Sequence, residues 1–207
     1  MKYKHVVFDI DGTLTETEYA VLKSLQDVIA VRLGKAYTLE ELRFVKGIPG
    51  VKAFEQIGFE RADFAQVMRE WEDGMRALND TIYVYEGAAQ LLEALERAGT
   101  GLGIATSKTR SQYDVDFCRF EIAKHFAVSI TCEDTDRPKP QAGPLEEYMK
   151  RTGARPKEML YVGDAVYDSM TAKAAGVDFA LACWGATEEI EAKYYPKTPM
   201  ELLEMIQ

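Results

Sequence analysis

A short apolar run near the N-terminus ends in two aspartates and a glycine: Val6-Val7-Phe8-Asp9-Ile10-Asp11-Gly12-Thr13. The run is rich in β-branched and aromatic residues, which reads as a buried strand fraying into a turn. Side chains alternate along a strand, so Asp9 and Asp11 leave it on the same side. Carboxylates held that close repel unless a cation lies between them or one takes a proton. The pair therefore suits a hard, oxygen-seeking ion such as Mg²⁺ (magnesium). It equally suits a carboxylate nucleophile with an acid–base partner beside it. An Asp-x-Asp alone also occurs in metal-dependent glycosyl transfer and in loop caps. It does not fit a calcium EF-hand loop, which needs a third acidic residue and glycine at the sixth position, whereas Gly12 is fourth.

Three further groups have the same character. Thr106-Ser107-Lys108 follows the apolar run Gly101–Ala105. Hydroxyls between a strand end and a helix start can bind a phosphate, or simply cap the helix. Lys139 lies between Pro138 and Pro140. The prolines stiffen the chain and bias Lys139 toward extended geometry, as an ammonium that must meet an anion would need, although surface loops also collect Lys and Pro. Val162-Gly163-Asp164-Ala165-Val166-Tyr167-Asp168 carries a second acidic pair. On a helix start, Asp164 and Asp168 would be one turn apart on one face, where they also favour the helix N-terminus electrostatically.

Five short apolar runs must position these groups: the one before Asp9, and those at 101–105, 127–130, 159–162 and 178–182. Helical patterns lie between them at about 87–98, 110–124, 144–152 and 167–175. Pro144 suits a first helical turn, and Gly153 and Gly176 suit helix ends. Such alternation predicts an α/β fold, a Rossmann-like parallel sheet with helices on both faces. Ligands of such sheets bind beyond the carboxyl ends of the strands, where every group above falls.

Residues 16–83 break the alternation and show only helical periodicity. Leu22, Leu25, Ile29 and Leu33 share a face that Gly34 ends. Thr38 and Glu41 form a capping box for a second helix closed by Gly47. Pro49 opens a third helix that runs to about Gly58, and residues 61–80 form a fourth, with Phe64, Met68, Trp71 and Met75 as its core stripe. The expected organisation is a core of residues 1–15 and 84–207 with a helical cap, 16–83, inserted over the strand ends as a lid.

Composition limits the function classes. A 47% hydrophobic content over 207 residues supports packed cores. The net charge of −9 argues against nucleic acid as a partner, so an anionic substrate must meet positive charge built locally. Cys118, Cys132 and Cys183 are odd in number and lack metal spacing, as expected of buried free thiols in a cytoplasmic protein. No run approaches membrane-spanning length, and the first run lacks a leader's cleavage site.

Taken in order, these motifs resemble the haloacid dehalogenase-like hydrolase superfamily, whose members are mostly Mg²⁺-dependent phosphatases. The resemblance covers essentially the whole chain. Asp9 to Thr13 match its Asp-x-Asp-Gly-Thr, Thr106 its strand-end Ser or Thr, Lys139 its lysine, and Gly163, Asp164 and Asp168 its Gly-Asp-x-x-x-Asp. Residues 16–83 look like the small helical cap of phosphoglycolate phosphatase-like and β-phosphoglucomutase-like members. Tyr85-Glu86-Gly87 looks like the return segment, with Glu86 where proline is commoner.

The resemblance implies roles. Asp9 is the nucleophile that forms an aspartyl-phosphate, and Asp11 the acid and then the base. Mg²⁺ is held by the Asp9 side chain, the Asp11 carbonyl and Asp164, while Asp168 steadies Lys139 or a water beside the metal. Gly12, Thr13, Thr106, Ser107 and Lys139 bind the phosphate, and Lys46, in the cap loop, is the candidate for substrate choice. The expected substrate is a small phosphorylated metabolite, phosphoglycolate first, with a nucleotide, sugar phosphate or pyrophosphate as alternatives, and the expected state is monomer or homodimer. A sugar-phosphate mutase shares the core chemistry, but Lys46-Gly47-Ile48-Pro49-Gly50 lacks the arginine that β-phosphoglucomutase-like caps carry. A true dehalogenase needs neither Asp11 nor Mg²⁺. A phospho-switched receiver domain has its acceptor mid-chain and no helical insertion.

Overall fold

The computed structural model describes residues 2–46, 48 and 50–207. Gly47 and Pro49, expected to close one helix and open the next, lie outside the described residues. The chain forms two compact units: Met1–Thr15 with Val84–Gln207, and Glu16–Tyr83.

The first unit is built on a parallel sheet of β1 (His5–Phe8), β4 (Gly101–Ala105), β5 (Val128–Ile130), β6 (Met159–Gly163) and β7 (Asp178–Leu181). Their order is β5-β4-β1-β6-β7. The short β2 (Thr15–Glu16) and β3 (Tyr83–Val84) pair separately where the chain leaves and returns. β1 is central, with Phe8 opposite Ile104 on one side and Val162 on the other. After β1 the chain builds outward through β4 and β5, then crosses back to β6. The strand order thus reverses at β1, the position where an open α/β sheet forms its binding crevice.

Alternation along the strands supplies a core on each face. Val6, Phe8, Ile104 and Val162 pack with α5 (Ala88–Arg97) and α9 (Pro199–Ile206), while Val7, Tyr161 and Phe179 pack with α7 (Gly143–Thr152) and α8 (Val166–Ala175). Gly103 is fitted to this second layer, since a Cβ there would lie 2.0 Å from the Tyr148 ring. The helices at 88–97, 143–152 and 166–175 follow the expected periodicity, with Gly153 and Gly176 in left-handed C-caps.

Three expectations need correction. The predicted helix over 110–124 is broken: α6 (Arg110–Gln112) passes into a π-helical turn, Tyr113–Phe117, and a 3₁₀ turn follows at Glu121–His125. Asp164 precedes α8 rather than sitting on it, because the helix begins only at Val166. The cysteines are free, but Cys118 is exposed and Cys132 and Cys183 are half-buried, since each lies at or beyond an element's end.

The second unit packs α1 (Glu18–Leu33), α2 (Leu39–Leu42), α3 (Gly50–Ile57) and α4 (Phe64–Ala77) around Leu25, Ile29, Leu42, Phe54, Val67 and Trp71. The Thr38–Glu41 capping box forms at α2, and Gly34 caps α1 in the left-handed region. Residues 61–80 divide into α4 flanked by 3₁₀ turns at Arg61–Asp63 and Asn79–Thr81. Among the described residues, no helix is long and apolar enough to cross a membrane.

Candidate active site

The site grows from the end of β1. Asp9 N–H donates to the Val162 carbonyl at 2.9 Å, continuing the β1–β6 ladder one residue past the strand. The chain then folds on itself: the Ile10 carbonyl accepts N–H bonds from Thr13, Leu14 and Thr15, and Gly12 N–H donates to the Thr15 carbonyl. Gly12 has φ +76°, which a side chain rarely tolerates. Gly12 and Thr13 were expected to offer their N–H groups to phosphate; in the structure both amides are engaged inside this turn. Thr13 Oγ1 instead points at Asp164 Oδ1, 3.4 Å away.

Lys139 reaches the same point from the loop after β5. Its ammonium is buried, 2.9 Å from Asp9 Oδ1 and 2.7 Å from Asp168 Oδ1. Asp168 is held at both oxygens. Oδ2 accepts the Ala165 N–H at 3.1 Å, which caps the start of α8. The Tyr161 hydroxyl lies 2.9 Å from Oδ1 and 2.8 Å from the Ala105 carbonyl, its one proton shared between them. Thr106 is buried at the end of β4, where its Oγ1 accepts the Lys108 N–H, and Ser107 beside it is half-buried. Lys108 turns its ammonium to Asp11 Oδ2, at 3.2 Å.

Burial pushes the Asp9 carboxyl up to about 7; Lys139 opposes this, and Asp168 and Asp11 add to it. For Lys139 and Lys108 burial acts the other way, against the ammonium. It is outweighed by Asp168 and Asp9 in the first case and by Asp11 and Asp116 in the second, so both lysines are held above their ordinary value. The Tyr161 hydroxyl is raised far above its usual range by burial and by Asp168.

A cation fits this arrangement. Carboxylate oxygens of Asp9, Asp164 and Asp168 lie within 4.8 Å of one another, all buried. Asp9 Oδ1 and Asp11 Oδ1 are buried acceptors that receive no hydrogen bond; Asp9 Oδ1 meets Lys139 only as an ion pair. Such an all-oxygen donor set suits a hard divalent ion. Asp168 already accepts from Lys139, Tyr161 and Ala165, so Asp9 and Asp164 are the carboxylates better suited to ligation.

A family model for haloacid dehalogenase-like hydrolases matches residues 6–182. The chain belongs to that family. Among relatives of this hydrolase, the pyrophosphatase PpaX of Anoxybacillus flavithermus is 29% identical over 185 residues, spanning 89% of this chain and 85% of its own. A Lactobacillus plantarum protein, provisionally assigned as a phosphoglycolate phosphatase, has a crystal structure that superposes with a TM-score of 0.91. It is 30% identical and covers 99% of this chain and 100% of its own. CbbY from Rhodobacter sphaeroides shares the fold at a TM-score of 0.82 and 21% identity, covering 97% of this chain and 96% of its own.

The hydrolase thus gathers Asp9, Asp11, Thr106, Lys139, Asp164 and Asp168 at adjoining strand ends. Lys46 belongs to the helical unit, where its ammonium pairs with Glu18 Oε2 at 2.9 Å. Sequence reasoning missed Tyr161, Lys108 and the Trp184-Gly185 loop. Trp184 Nε1 donates to the Thr13 carbonyl at 2.9 Å, and a Cβ on Gly185 would lie 1.8 Å from the Gly12 carbonyl oxygen. That loop packs directly on the turn after Asp11. A Trp-Gly pair just past a strand end was its available signal.

Proposed function

We propose that this hydrolase is an Mg²⁺-dependent, cytoplasmic phosphatase that cleaves a small phosphorylated metabolite through an aspartyl-phosphate on Asp9. The observation that carries the reading is the buried chain Asp9–Lys139–Asp168 at the head of the central strand. A carboxylate beside a fixed ammonium can accept a phosphoryl group because the ammonium offsets part of the negative charge on the transferring oxygens.

The Asp9 oxygen attacks phosphorus as the bond to the leaving oxygen breaks, and Asp11 gives that oxygen its proton. Asp11 then takes a proton from water, whose oxygen attacks phosphorus and releases phosphate and free Asp9. Lys139, with Thr106 and Ser107, binds the phosphoryl oxygens. Asp9, Asp164 and the Asp11 carbonyl would hold Mg²⁺, which when bound offsets the repulsion between carboxylate and phosphate. The helical unit acts as a cap that selects the substrate, with Lys46 as its candidate contact.

Phosphoglycolate and inorganic pyrophosphate are the two substrates to test first. The Lactobacillus plantarum structure supports the former, and the PpaX relatives support the latter. Phosphate release from both, from nucleotides, from sugar phosphates and from p-nitrophenyl phosphate, measured with Mg²⁺ and with EDTA, tests the reading. Activity that survives EDTA, or no phosphate release from any of these compounds, would refute it.

A further inference from the structure

Lys108 has no part in the reaction just described, yet it faces the acid–base residue. Its ammonium lies 3.2 Å from Asp11 Oδ2 and 3.5 Å from Asp116 Oδ2, and its side chain is 11% exposed. The backbone that carries it is fixed at both ends. Lys108 N–H donates to Thr106 Oγ1 at 3.2 Å, and its carbonyl accepts the Cys132 N–H at 3.0 Å.

Asp116 is brought to Lys108 by an irregularity in the helix. Thr109 and Gln112 form a capping box that starts an ordinary helix. The chain then widens into the π-helical turn Tyr113–Phe117, where Cys118 N–H reaches back five residues to the Tyr113 carbonyl at 3.1 Å. An extra residue in a turn rotates the succeeding residues by about 100° relative to a continuous α-helix. Single π-turns are rare and concentrate at functional sites. Here the turn holds a carboxylate against a buried lysine that in turn meets Asp11.

Asp11 needs such support. A group that gives a proton to one oxygen and takes it from another must stay aimed through both steps. Its Oδ1 receives no hydrogen bond. We propose that Lys108, braced by Asp116, is a positioning residue that holds the Asp11 carboxylate through Oδ2 and keeps it aimed while it moves the proton. This inference rests on the phosphatase reading above.

The test uses p-nitrophenyl phosphate with Mg²⁺ and two variants, Lys108→Met and Asp116→Asn. The p-nitrophenolate group leaves without a proton, so Asp9 should still be phosphorylated while the water step slows. Lys108→Met should lower kcat by about 10- to 100-fold while kcat/KM on this substrate stays within about twofold, so that KM falls along with kcat. A burst of about one p-nitrophenolate per enzyme should precede the slow phase. Asp116→Asn should give the same signature at about 3- to 10-fold, and it decides the question alone if Lys108→Met does not fold. Both variants should keep the thermal stabilisation by beryllium fluoride and Mg²⁺, which reports on Asp9 rather than Asp11. Unchanged kcat in the variants would overturn the proposal. So would a rise in KM without a burst, which would make Lys108 a substrate contact. If the unaltered enzyme neither hydrolyses phosphate esters nor responds to beryllium fluoride, the phosphatase reading itself has failed.

Discussion

Gly12 and Asp164 approach so closely that a Cβ on residue 12 would lie 2.1 Å from Asp164 Oδ2. The turn after Asp11 and the loop after β6 are fitted to each other with no side chain between them. The positive φ at Gly12 adds a second reason for glycine. Gly12→Ala is expected to cost about 1–3 kcal/mol of stability, from strain and overpacking together. It should also push Asp164 away, weakening Mg²⁺ binding by about tenfold or more. Thermal unfolding and calorimetric Mg²⁺ titration check this. A variant as stable as the original, with the same Mg²⁺ response, would contradict it.

The proposed division of labour between Asp9 and Asp11 separates in the laboratory. Asp9→Asn should abolish turnover, by about 10⁴-fold or more, since a neutral amide is a poor nucleophile and a poor metal ligand. Asp11→Asn should be nearly as inactive with substrates whose leaving group needs a proton. With p-nitrophenyl phosphate it should accumulate phosphorylated Asp9, detectable by intact-protein mass after an acid quench. Near-normal turnover by either variant would remove the mechanism.

Lys139 stands between two carboxylates, and its removal leaves both buried without their cation. Breaking a buried pair from one side typically costs about 3–5 kcal/mol, so Lys139→Ala should fold less stably. The functional prediction is distinct from that loss. Beryllium fluoride with Mg²⁺ should raise the melting temperature of the unaltered protein by binding only its folded state. Lys139→Ala should show a much smaller rise from its own lower baseline. An equal rise would mean that the lysine does not face the phosphoryl position.

Much of this site is legible in the order of residues alone. Asp9, Thr106 and Asp164 each follow a short apolar run, and parallel strands buried on both faces have that appearance in sequence. The hidden part depends on which strands become neighbours. Tyr161 reads as one more aromatic in a core strand, because alternation reports burial but not the partner of a hydroxyl. Lys108 meets Asp11 only because β4 lies beside β1. The π-turn at 113–117 is invisible because its apolar spacing mimics a continuous helix. The helix at 199–206 was missed despite readable signals: Thr198 caps it, Pro199 opens it, and Leu202, Leu203 and Ile206 are its buried residues.

Lys46 tests the proposed cap. Its side chain is 15% exposed and shares Glu18 with Arg43, so the ion pair already accounts for part of its placement. If Lys46 also contacts the substrate beyond the transferring phosphate, Lys46→Ala should raise KM about 5- to 10-fold on the best metabolite. Hydrolysis of p-nitrophenyl phosphate should stay nearly unchanged. Equal losses on both substrates, with a lowered melting temperature, would make Lys46 a structural partner of Glu18 and send the search for specificity elsewhere on residues 16–83.

A last prediction concerns pH and lies outside the site. Asp134 accepts hydrogen bonds from the Thr131 N–H and hydroxyl and from Arg110 on one oxygen, and from Arg151 on the other. Burial alone would raise its carboxyl, but the Thr131 N–H, Arg151 and the Thr131 hydroxyl outweigh it and hold the group well below the usual carboxylate range. A depressed folded-state value means that the ionised form stabilises the fold. That contribution is complete above the unfolded-state value, near pH 4, and is lost as pH falls through the folded-state value. Asp134→Asn should therefore lower stability at pH 7 by about 1.5–3 kcal/mol, the range for hydrogen bonds to a charged group. The gap between variant and original should narrow steadily below about pH 4, because the unfolded chain of the original then takes up a proton that its folded Asp134 carboxylate does not. Urea unfolding of both proteins at pH 7, 5, 4 and 3 measures this. A gap that stays constant with pH would show that shape, not charge, is what Asp134 contributes.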